Sequence, residues 1–95
     1  MPTETLVELS GPMTKAEVVR WRDALSETVA RGQNVRLNLA ESGPWDIAGL
    51  QLMLALIASC DRAGLHLALT AAPQVFVTVA ERAGVLDRFA WREES

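Results

Sequence analysis

Side chains able to carry chemistry are few in this 95-residue chain, and none stands at a spacing that makes a reactive set. The chain has one histidine, His66, and one cysteine, Cys60. His66 interrupts the alternating run Leu65-His66-Leu67-Ala68-Leu69-Thr70, which reads as a strand, so it is expected at a surface or edge. Cys60 lies beside Asp61 in a helical segment. A reactive thiol wants a positive, exposed setting, and this one reads as a small buried hydrophobe. Asp46 opens a helical segment, where its carboxylate can accept from free backbone N–H groups and oppose the positive end of the helix dipole. Gly43 and Gly49 are too sparse for a nucleotide cradle, and no phosphate loop, dinucleotide fingerprint or zinc spacing occurs. Catalysis needs a nucleophile, base or metal in mutual reach. The expectation is a chain with no catalytic residues, no metal and no cofactor.

The elements that carry these residues follow from glycine punctuation and apolar period. Gly32, Gly64 and Gly84 each close a helical segment, the position of a left-handed C-terminal cap. A first strand is predicted over Thr5-Leu6-Val7-Glu8-Leu9, ending at the turn signal Gly11-Pro12. Thr14 and Glu17 have capping-box spacing, and Val18, Trp21, Leu25 and Val29 form the stripe of a helix ending near Arg31. Val35, Leu37 and Leu39 alternate in a second strand, followed by a loop from Ala40 to Trp45 and a helix from about Asp46 to Ala63. The third strand leads to Pro73, suited to a first helical turn, with Val75, Phe76, Val79, Ala80 and Ala83 as the apolar stripe. A short helical turn and a brief edge strand are expected after Gly84, and the charged tail, Arg92 to Ser95, is expected to fray. Right-handed crossovers would make neighbouring strands parallel.

Bulk properties narrow the function class. The length suits one domain, residues 1–95. The net charge is −3 and the nine basic residues never cluster beyond a pair, which argues against nucleic acid. The longest nearly apolar run, Ile47 to Ala58, is too short for a span that needs about 20 residues. Met1 is not followed by the basic-then-apolar pattern of a signal peptide, so no membrane insertion and a cytoplasmic location are expected.

The second helix is apolar on two sides. Ile47, Leu50, Met53, Leu54 and Ile57 make one stripe; Ala48, Leu52, Ala55, Leu56 and Ser59 make another. The second side serves either a neighbouring helix of the same domain or a partner. Trp45, just before the helix, is either an interface anchor or a staple packed on its own helix.

The segment Asp46-Ile47-Ala48-Gly49-Leu50, with the apolar helix Gln51-Leu52-Met53-Leu54-Ala55-Leu56 behind it, resembles the central motif of STAS domains. The element order and the late Ala83-Gly84-Val85-Leu86 stretch are similar as well, so the resemblance covers most of the chain. It implies an α/β fold, βαβαβα(β), with a small, mainly parallel sheet covered by helices. It also implies docking onto a protein, in the manner of an anti-sigma factor antagonist. Sigma-regulating members of the family are phosphorylated on the Ser or Thr before Gly-Leu. Here Ala48 stands at that position with Ile47 before it, and neither has a hydroxyl. Ser42 in the preceding loop is a turn residue and the alternative acceptor.

The expected partner surface comprises Ser42, Trp45, Asp46, Ile47, Ala48, Gly49, Leu52 and Leu56. The partner implied by the resemblance is an anti-sigma factor or kinase-like signalling protein of bacterial type. The alternatives are a lipid-transport ABC complex, with this chain as its cytoplasmic subunit, and a chemotaxis-associated scaffold or homodimer.

Overall fold

The computed structural model describes residues 4–91, Trp91 by its backbone alone. The tail Arg92 to Ser95 lies outside the described residues. The chain runs β1 (Glu4–Met13), α1 (Val18–Ala30), β2 (Asn34–Trp45), α2 (Ile47–Arg62), β3 (Leu67–Thr70), α3 (Gln74–Arg82), a single 3-10 turn (Leu86–Arg88) and β4 (Ala90–Trp91). The four strands form one sheet in the order β1-β2-β3-β4, every pair parallel. This is the expected α/β architecture, including the terminal edge strand.

The core sits on one side of the sheet. Leu9, Val35, Leu37, Leu39 and Leu69 point into the same cluster as Leu25 of α1, Met53 of α2 and Phe76 of α3. Successive right-handed crossovers in a sheet of sequential order bring all connecting helices to one face. The other face carries Leu6, Glu8, Arg36 and Asn38, exposed or half-buried, with Arg36 Nε 3.4 Å from Glu4 Oε1. Gly64 and Gly84 end their helices at φ of 71° and 72°, and the amides of Leu65 and Val85 reach back to the carbonyls of Cys60 and Ala80.

Two expectations are corrected. The first two strands do not stop at Leu9 and Leu39. They run on side by side to Met13 and Trp45, so the stretch expected as a loop is strand. Pairing passes from Glu8↔Asn38 to Ser10↔Glu41 and from Gly11↔Ser42 to Met13↔Trp45, so β2 accommodates one extra residue at each of two bulges. Gly11 takes a φ of 80° at the turn signal, which bends the strand without ending it. The second correction concerns the capping box. α1 starts at Val18, and Glu17 makes no side-chain cap; its carboxylate lies 3.3 Å from Arg20 instead. Thr14 contributes its carbonyl, which accepts from the amides of Glu17 and Val18.

The extended strands bring Met13 and Trp45 against the first turn of α2, and Gly49 makes that approach possible. A Cβ on Gly49 would be driven into the Met13 carbonyl oxygen and would lie 2.9 Å from the Trp45 ring. Since the obstacle is backbone, it cannot swing aside. Gly49→Ala is therefore expected to cost at least 1–3 kcal/mol, roughly the penalty of an overpacked core. Urea unfolding of the purified variant measures it.

Candidate functional site

The segment singled out by sequence lies where β2 turns into α2. Asp46 is the N-cap of α2: its Oδ1 accepts from the amides of Ala48 at 2.8 Å and Gly49 at 3.2 Å. Its other oxygen, Oδ2, accepts from the Lys15 amide at 3.1 Å, tying the turn after β1 to the start of α2. Partial desolvation pushes this carboxyl up, but the amide donors of Lys15, Gly49 and Ala48 together hold it below its ordinary value. The carboxylate thus occupies the helix terminus that a phosphate would need.

Three neighbours expected at a partner surface are instead enclosed. Trp45 is 6% exposed. Its ring lies over Gly49 and meets Phe76 edge-on at 4.8 Å, and Phe76 meets Phe89 in the same way at 5.4 Å. Of the two readings left open for Trp45, packing down onto its own helix is the one observed. Leu56 is buried because its side of α2 faces the core cluster, and Gly49 is buried beneath Trp45.

Ser42 is likewise buried, and its hydroxyl is fully engaged. It donates to the Leu39 carbonyl at 2.7 Å and accepts from Trp45 Nε1 at 2.9 Å. A kinase cannot reach it without opening the second bulge. Trp45, Gly49 and Ser42 are therefore enclosed in the folded chain, while Leu56, though buried, still lines the cleft between α1 and α2.

Of the expected residues, Asp46, Ile47, Ala48 and Leu52 keep surface, and all but Asp46 are apolar. Ile47, the first residue of α2, is 57% exposed, and Val19 on α1 is 52% exposed. Ala48 and Leu52 are half-buried along the seam between the two helices. Sequence periodicity assigned Ile47 to the core stripe, but the buried line of α2 runs through Gly49, Leu50, Met53, Leu56 and Cys60. α1 covers only part of the second apolar side. Val19 was missed as a site residue because it lies beside the α1 stripe, and one helix's period does not show what the neighbouring helix leaves uncovered. Val75, expected in the α3 stripe, is also partly out, at 41% exposed.

The comparisons address this geometry. The family model described as "Mlab, STAS domain" matches residues 2–89. The chain is a STAS domain. STAS domains are protein-interaction and regulatory modules. A solved structure titled "Crystal structure of sulfate transporter family protein from Wolinella succinogenes" superimposes with a TM-score of 0.74. It is 16% identical, and the match covers 92% of this chain and 71% of that one, so it supports the fold. No curated protein matches. Among the described residues, no helix is long and apolar enough to cross a membrane.

Elsewhere in this STAS domain the reactive-looking groups have structural settings. Cys60 is buried in the core cluster, and burial, then the Asp61 carboxylate, push its thiol up. It is expected to stay unmodified by a thiol reagent at neutral pH in the native protein and to react on unfolding; an absorbance assay reads this directly.

Asp46 has the opposite sign. A folded-state value below that of the unfolded chain means its contribution is present above the unfolded carboxyl value. That contribution disappears as pH falls through the folded value. Asp46→Ala should therefore lower the urea midpoint at pH 7, with the gap to the native protein closing below about pH 4.

Proposed function

We propose that this STAS domain is a docking module with no chemistry of its own, engaging a protein partner through the start of α2. The observation that carries the reading is Ile47, more than half exposed at the first position of a helix whose capping carboxylate is occupied by backbone amides. An exposed branched aliphatic beside Ala48, Leu52 and Val19 is a surface suited to desolvation by another protein. Asp46 takes part by shaping that surface.

Docking is constitutive with respect to the family switch. A phosphate at a helix N-terminus would add nearly two charges, but Ile47 and Ala48 offer no acceptor oxygen, and Ser42 is buried with its hydroxyl engaged. The module works in the cytoplasm. The motif resemblance supports an anti-sigma factor or kinase-like partner, as for an anti-sigma factor antagonist. A transporter component is the second reading, supported by the structural neighbour, a sulfate transporter family protein.

Ile47→Asp and Val19→Asp change exposed side chains, so each is expected to unfold within a few degrees of the native protein. Each should also lose at least about tenfold in retention of the native partner captured from cell extract, as a charge is buried unpaired. Retention of the same partner at unchanged strength by both variants would overturn the proposal.

A further inference from the structure

The seam between α1 and α2 continues beyond Ile47 as a groove. On α1, Val18, Arg22 and Ser26 form a ridge at intervals of four residues; on α2, Ala48, Leu52, Ala55 and Ser59 form the facing ridge. Val18 faces the Ala48 end and Ser26 the Ser59 end, so the ridges run side by side in the same direction. Ala48 to Ser59 spans about 16 Å, or three helical turns. The alanines keep the floor low, which allows a third helix to come close.

The charge pattern bears on the occupant. Among the described residues lining the groove, Arg22 is the one ionised side chain, although the chain as a whole carries −3. Its Nε lies 3.6 Å from the adjacent Asp23 carboxylate, both side chains well exposed. That contact engages Nε and leaves the outer guanidinium nitrogens as donors for a planar acceptor. The trough is apolar at its Val18–Ala48 end and more polar toward Ser26 and Ser59, where Arg62 donates to Ser59 Oγ at 3.2 Å. With the Arg22 guanidinium at its middle, it complements a largely apolar helix face bearing a carboxylate.

We infer that the groove between α1 and α2 receives an amphipathic helix of about three turns from the partner, apolar toward Leu52 and Val19 and carrying an Asp or Glu opposite Arg22. This rests on the docking reading and adds the chemistry of the docked segment. The carboxylate forks onto the Arg22 guanidinium, and its place along the partner helix sets the register.

The test is selection from a displayed library of amphipathic helices of about 14 residues against the whole protein. The selected peptides are then mapped by amide chemical shifts. Peptides that perturb the groove and share an acidic residue at one position are expected. Arg22→Glu should weaken them by about tenfold or more and select Lys or Arg at that position instead. Peptides that perturb the surface at Ile47 and show no acid preference, with no response to Arg22→Glu, would overturn this inference and leave the docking reading standing. Selected peptides that perturb neither Ile47 nor the groove would overturn both. Self-association of the pure protein in sedimentation, abolished by Arg22→Glu, would make the occupant a second copy and also overturn the assignment.

Discussion

The close approach of α2 to the ends of β1 and β2 is the constraint on which the rest depends. Gly49 brings the first turn of the helix against the Met13 carbonyl and under the Trp45 ring. Asp46 then closes the junction with three backbone amides, two from its own helix and one from Lys15. Because two strand ends, one turn and a helix start meet there, the direction of α2 is set by backbone contact as well as by side-chain packing. The aromatic series Trp45, Phe76 and Phe89 carries the junction across to α3 and the final turn. Each edge-on pair contributes about 0.5–1.5 kcal/mol beyond the area it buries.

This junction explains why the site is apolar. The groups in this segment with hydrogen-bonding capacity are spent within the fold: the Asp46 carboxylate on amides, the Ser42 hydroxyl on Leu39 and Trp45, the indole N–H on Ser42. Buried polar groups must be satisfied, and here they satisfy one another. Ile47 and Ala48, with no polar atoms in their side chains, face outward. An aliphatic surface beside a tightly tied helix start favours association over chemistry.

Much of the fold was legible in the residues. The helix ends at Gly64 and Gly84 and the cap at Asp46 are local devices, each written within a few neighbouring positions. Strand alternation in Val35-Arg36-Leu37-Asn38-Leu39 is equally local, and the structure places those residues as the pattern predicts. The bulged continuation of β1 and β2 was not legible. Gly-Pro and Ser-Gly-Pro stretches usually end a strand, and their survival here depends on two strands deforming together. The Thr14–Glu17 spacing misled for a related reason: a capping box competes with whatever the preceding strand requires of the same residues.

The sequence by itself determined the order of elements, the absence of a hydroxyl at the family's switch position and the apolar character of the second helix, because these are properties of residue type and period. Only the tertiary structure decided which apolar residues remain outside. Trp45 and Ile47 are two positions apart and both hydrophobic, yet one is 6% and the other 57% exposed. That difference comes from Phe76 and Gly49, which provide an aromatic wall and a gap for the Trp45 ring, while α1 stops short of covering Ile47. Burial is a relation between distant segments, and no local pattern encodes where a neighbouring helix ends.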